Sequence, residues 1–216
     1  MKLITNPDEF FAELKQRDVR IRVPLLTIVL PVAVIMAVYQ FLLMTKFSQI
    51  FPRELAQFLM VGAYISVVST FIGVFAAWVI IAAVMHGLSS FFGGRGEFRR
   101  TFEFVGYGFL PSLVGEVITV PMSLYYISRV ELPKLTVQQI QQNPEIVKKM
   151  MMSIVPRSLV YSNLIINAAV TVWSLVLWSF AVKHAREIEL KNAFICALIP
   201  TVLFGLLEIW KLIKFL

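Results

Sequence analysis

Long apolar blocks separated by short charged stretches set the pattern of this chain. Residues 23–44 contain no Asp, Glu, Lys or Arg, and neither do residues 55–94. Further apolar blocks follow at 104–127, 158–182 and 192–210. A helix needs about 20 apolar residues to cross the hydrocarbon core of a bilayer. The pattern predicts five spans, at about 23–44, 56–86, 104–127, 158–182 and 192–210. The second block is too long for one span and too short for two with a turn, so it reads as one span whose excess helix emerges at an interface. Lipid offers no partner to open backbone groups, so each block must be helical. The alternating apolar strands of a transmembrane barrel are missing. The expected fold class is all-α: a polytopic membrane protein with five transmembrane helices plus interfacial helices.

The polar segments predict helices that lie on the membrane. At the N-terminus Asn6 stands as a helix cap, Pro7 at the first helical position and Glu9 at capping-box spacing. Phe10, Phe11 and Leu14 form a short apolar stripe followed by Lys15, Arg17, Arg20 and Arg22. That pattern fits a helix resting on an anionic leaflet, against the plainer reading of a helix packed on its own loops. Residues 128–157 predict a helical hairpin on the other side, with Asn143-Pro144 as punctuation and Ile146, Val147, Met150, Met151 and Ile154 on one apolar face. The domain division is then a cytoplasmic interfacial segment, 1–22, and a five-span membrane domain, 23–216.

Composition agrees. Of 216 residues, 58% are hydrophobic and 15% are charged, where a soluble domain carries roughly 25% charged residues. The net charge of +7 points to anionic lipid head groups rather than nucleic acid, because no basic tract carries interleaved aromatics. The single cysteine, Cys196, allows neither an internal disulfide nor a metal cluster. The first apolar block starts at Val23 and lacks a small-residue cleavage site, so it reads as a retained span rather than a signal peptide. The basic residues before it, against Lys46 and Arg53 after it, predict a cytoplasmic N-terminus and, with five spans, an outward C-terminus.

The stretch 93–111, "GGRGEFRRTFEFVGYGFLP", punctuates the chain most sharply. Gly93, Gly94 and Gly96 suit the end of the long second helix. Phe98, Phe102 and Phe109 recur near helical spacing, and Arg99 and Glu103 stand four apart, a pairing distance. Gly106 and Gly108 permit close helix contact, and Pro111 predicts a kink. The expectation is a hinge, a charged aromatic entry helix at the cytoplasmic interface, and a kinked third span.

These residues resemble the Yip family, five-span membrane proteins named for interaction with Rab/Ypt GTPases. The pattern of prokaryotic members is matched by Asn6, Pro7, Phe10 and Phe11, by Gly93, Gly94, Arg95, Gly96 and Phe98, and by Gly106, Tyr107 and Pro111. Eukaryotic members carry a long region before the first span, which here is residues 1–22, and an Asp-Leu-Tyr-Gly-Pro-like motif is missing. The resemblance implies a five-span fold and a membrane-organising or trafficking-like role. On that reading Phe10, Phe11, Gly93, Gly94, Arg95, Arg99, Arg100, Tyr107 and Pro111 make the cytoplasmic interface. Its partners would be anionic membrane lipids or proteins, with no nucleic acid and no cofactor or metal.

Within the spans, Glu116 stands near mid-membrane between Pro111 and Pro121. An ionised acid there costs on the order of 2.5–3.5 kcal/mol and normally faces the bundle interior, a cavity or a partner. Asn163, Asn167 and Ser174 fall near one face of the fourth span and are candidate partners. Glu208 precedes Lys211 and Lys214 and reads as a helix-end or snorkelling residue. His86, alone near the end of the second span, reads as a satisfied interface residue. Gly62, Ser66, Ser69, Gly73 and Ala77 give small-residue spacings for close helix packing, a face also suited to self-association. No nucleophile–base pair, paired carboxylate or phosphate loop is present. "GGRGEFRR" lacks the preceding strand and the Gly-Lys-Ser/Thr ending of a P-loop. The reading is therefore a non-enzymatic scaffold or membrane-organising factor. The rival is a small transporter, channel or lipid-moving protein using the third span around Glu116.

Overall fold

The computed structural model describes residues 2–143, 145–147, 150 and 155–213, apart from the side chains of residues 208, 209 and 211–213. Among these residues every regular element is helical. Two short helices, α1 (Lys2–Thr5) and α2 (Pro7–Lys15), precede the first long one. Asn6 caps α2 as the sequence predicts: its Oδ1 accepts from the Glu9 amide at 3.2 Å, with Pro7 in the first turn.

Five helices are long and apolar enough to cross a membrane. The first, α3 (Arg22–Ser48), contains a π-helical turn over Leu25–Val29 just before Pro31. The second, α4 (Arg53–Ser90), is one unbroken helix of 38 residues. At 1.5 Å per residue it is about 57 Å long, nearly twice the ~30 Å hydrocarbon core, as its apolar length predicts. The third span, Phe98–Ser128, is divided into α5 (Phe98–Tyr107) and α6 (Leu110–Ser128). After α7 (Val137–Gln142) come α8 (Arg157–Arg186) and α9 (Leu190–Ile213). The principal packings run α8 along α9 and α3 along α4, with α5 and α6 wedged against α8 and α4 or α3.

The division of the third span corrects one expectation. The break falls at Gly108 and Phe109, and Pro111 sits in the first turn of α6, so this proline starts a helix rather than kinking one. It lacks only an amide that a first turn leaves unpaired in any case. Helix α5 is buried on one side, at Thr101 and Glu103 to Tyr107, with Phe98 and Arg99 exposed at its start. The third span is the most enclosed of the five, with half of its most apolar window inside the protein.

On the side expected to face outward, Thr136 and Gln139 form a capping box at the start of α7. Leu135 donates its amide to the Ile50 carbonyl at 2.8 Å, and the two side chains form a small apolar cluster with Ile146, Val147 and Met150 alongside. The first arm of the expected hairpin is α7. Pro144, Met151 and Ile154 of its second arm lie outside the described residues.

Candidate functional site

The N-terminal segment, the loop after α4, helix α5 and the α8–α9 turn meet at one end of the bundle. Arg186, at the last position of α8, is at its centre and only 4% exposed. Its guanidinium donates to Ser89 Oγ at 2.8 Å, Ser90 Oγ at 3.1 Å, the Gly94 carbonyl at 2.8 Å and the Gly96 carbonyl. The Arg186 carbonyl in turn accepts from the Arg95 amide at 2.8 Å. The glycine loop thus wraps one guanidinium. This explains its composition: Gly93 and Gly96 have φ of 73° and 101°, and a Cβ at Gly96 would lie 2.7 Å from the Ala185 carbonyl oxygen. Neighbouring Glu187 is itself left-handed (φ 57°), which turns the chain sharply into α9.

Helix α2 lies across this end and packs on it. Phe11 is fully buried, its ring 5.1 Å from Phe104, and Phe10 meets Tyr107 edge to face at 5.2 Å. The expected apolar stripe packs on the protein's own helices, Phe11 wholly and Phe10 and Leu14 in part. Asp8 receives hydrogen bonds from Lys183 Nζ and, depending on its tautomer, from His184 Nε2, each at 2.6 Å. The Lys183 ammonium, then His184, holds the Asp8 carboxyl below its usual range. Lys15 pairs with Glu187 at 2.7 Å and lowers that carboxyl in the same way.

Glu103 is fully buried. Its Oε2 accepts from Arg100 Nη1 at 3.0 Å and its Oε1 from the Arg20 amide at 2.9 Å. Arg100 also donates to the carbonyls of Leu14 and Arg17. The partner of Glu103 is thus Arg100, three residues away, and not Arg99. Arg99 is exposed, while Arg100 faces the N-terminal segment. Two indoles seal the break in the third span: Trp78 Nε1 donates to the Phe102 carbonyl at 2.9 Å and Trp178 Nε1 to the Val105 carbonyl at 3.0 Å. The expected close contacts at Gly106 and Gly108 are present. A Cβ at Gly106 would lie 2.8 Å from the Trp78 ring, and one at Gly108 2.0 Å from Trp178. His86 is satisfied, with Nδ1 2.9 Å from Thr101 Oγ1.

The predicted interface residues therefore separate into two sets. Phe11, Arg100, Tyr107 and Pro111 are turned inward, with Phe10 and Gly94 partly covered. Gly93, Arg95 and Arg99 are exposed, beside Phe91 at 87%, Phe92 at 39% and Phe98 at 39%. This leaves a rim of cations and aromatic rings around the clasp. Arg186, Glu103 as a buried group, and the Trp78 and Trp178 seals were missed by sequence reasoning, because each depends on a bond to a residue distant in the chain.

Of the intramembrane candidates, Glu116 and Asn167 line one central cavity of about 500 Å³. Asn167 Nδ2 donates to the Asn163 carbonyl at 2.9 Å, so the two asparagines meet along α8, but Asn163 is not among the cavity walls. The Glu208 side chain lies outside the described ones. Within the small-residue stripe of α4, Gly73 and Ala77 border the cavity, and a Cβ at Gly73 would meet nothing within 4 Å, so these two positions are not close helix contacts. Among the described residues no three His, Cys, Asp or Glu side chains gather where a metal ion could be held.

Comparison with known proteins agrees with this architecture. A family model described as the Yip1 domain matches residues 1–210, which takes in both the N-terminal helices and all five spans. An uncharacterized protein of the archaeon Methanocaldococcus jannaschii is 41% identical over 125 residues, covering 58% of this chain and 88% of that protein. No solved structure matches. The five apolar helices and the extent of the family match together place this multi-pass integral membrane protein: it belongs to the Yip1 domain family.

Proposed function

We propose that the protein is a non-enzymatic scaffold or membrane-organising factor that works through its clasped end, and that this end faces the cytoplasm. The observation that carries this reading is the division of labour at that end. Arg186, Glu103, Arg100 and Asp8 are consumed in holding the segments together, which fixes a rigid platform. Arg95, Arg99, Phe91 and Phe92 are left exposed beside it, with the edge of Phe98, whose ring packs on His86 and Phe102. A guanidinium pairs with phosphate in two directions, and exposed rings suit the head-group layer. Such a rim binds anionic head groups, or an acidic face of a protein partner, without any chemistry of its own. The family match supports the membrane role at the coarse level, and the exposed rim is what favours the finer reading.

The test is retention of lipids and proteins by the full chain purified from native membranes, beside the Arg95→Glu/Arg99→Glu double variant. Wild type should retain anionic over zwitterionic lipid, and should hold a reproducible set of proteins that the variant loses. Identical lipid and protein retention by both would overturn the proposal.

A further inference from the structure

At mid-membrane, α3, α4, α6, α8 and α9 leave the cavity of about 500 Å³ between them. Cavities that hold small molecules are typically about 300–1,000 Å³, mostly apolar, with a few polar groups converging. This one has that form. Its walls are largely aliphatic and aromatic, and Thr70, Ser112, Glu116, Thr119 and Asn167 supply the polar atoms. A smaller space of about 110 Å³ adjoins it, sharing Ser112 and Asn167 and reaching Ser174. Ser174 is 3% exposed, and its hydroxyl has no hydrogen-bond partner among the described residues. A buried hydroxyl without a partner is uncommon and calls for one. The space is also built in: Gly73 borders it where a Cβ would meet no atom within 4 Å. Gly115, by contrast, is a glycine of packing, since a Cβ there would lie 2.8 Å from Val170.

Charge selects the occupant. Among the described residues Glu116 is the one ionisable side chain in the walls, with no lysine or arginine beside it there. A positive head group is favoured beside the acid, and an anionic one is repelled. The apolar walls require an apolar body, which reaches such a site from the surrounding lipid. We propose that this cavity is a binding site for a small amphiphile with an apolar body and a protonated amine. Its ammonium would lie against Glu116, with Ser112, Thr119 and Asn167 around it. The site lies apart from the clasped end, and its test is independent of the reading given to that end.

The probe is dodecylamine, with dodecanoate and dodecanol as controls, added to the full chain in nanodiscs of zwitterionic lipid. Bound probe is read by native mass spectrometry and by the shift in Tm. Wild type should retain dodecylamine with a rise in Tm and should not retain dodecanoate. Glu116→Gln should weaken amine binding by at least tenfold. Gly73→Leu should weaken it at least tenfold by intruding on the space while keeping the unliganded Tm at or above wild type, since leucine is the better helix former and its Cβ meets no obstacle. Should Glu116→Gln fold poorly, Gly73→Leu still decides the matter. Equal amine retention by wild type and Gly73→Leu, or by wild type and a folded Glu116→Gln, would overturn the site. Equal retention of dodecanoate or dodecanol would overturn the cationic head.

Discussion

The third span carries two acids, Glu103 and Glu116, with opposite settings. Glu103 lies in a stretch dense with charge, "EFRRTFEF", where a sequence reading treats it as half of a surface pair. In the folded protein it is fully buried and bonded to Arg100 and the Arg20 amide. Glu116 stands alone in an apolar block and draws the eye, yet it borders an open cavity rather than the packed core. The difference teaches that isolation in the sequence is not burial in the fold. A charged residue is buried where chain-distant partners converge on it, and such convergence occurs at the clasped end of this bundle, where four segments meet. Midway along the spans the helices instead leave space.

The sharpest break of that comparison is at Arg186. Arg186→Ala removes a buried guanidinium from two carbonyls and two hydroxyls, and should cost about 4 kcal/mol with loss of order in residues 89–97, read by unfolding and by hydrogen exchange. Arg186→Lys should recover only part of this, since an ammonium lacks the planar fork that reaches Ser89, Ser90, Gly94 and Gly96 together. Glu103→Gln should cost about 3 kcal/mol, because it leaves the half-buried Arg100 beside a neutral group; Glu103→Gln combined with Arg100→Met should cost less than the single change. Gly108→Ala should cost about 2–3 kcal/mol, since the new methyl displaces the Trp178 ring that caps the Val105 carbonyl.

A gentler effect concerns helix α2. The Asp8 carboxyl is held below its usual range by Lys183 and His184, so its contribution is present at neutral pH and is lost as pH falls through its lowered folded-state value. Acidification should therefore release α2 before the spans unfold, exposing Lys15 and Arg17 to trypsin. Asp8→Asn should show the same cleavage at pH 7, with wild-type Tm for the spans to within about 1 kcal/mol of stability.

Much of this was legible because it is local. The five spans follow from apolar length, the Asn6–Pro7–Glu9 start of α2 from cap chemistry, and the tight contacts at Gly106 and Gly108 from residue size. The choice between Arg99 and Arg100 was not, because both stand on the helical face of Glu103 and only the docked N-terminal segment selects the second. The position of Pro111 was ambiguous for a related reason: proline both kinks helices and begins them, and the Trp178 indole that settles the matter belongs to another span. Arg186 offered no local signal at all, since its acceptors are a serine pair and a glycine loop roughly 90 residues earlier.

The contrast between the two acids is tested most directly by unfolding Glu103→Gln and Glu116→Gln side by side in the same lipid, with wild type as reference. Glu103→Gln should lose about 3 kcal/mol, and Glu116→Gln should stay within about 1 kcal/mol of wild type. Equal losses, or the larger loss at Glu116, would contradict a clasped end built on buried charge and a mid-membrane cavity built for something else.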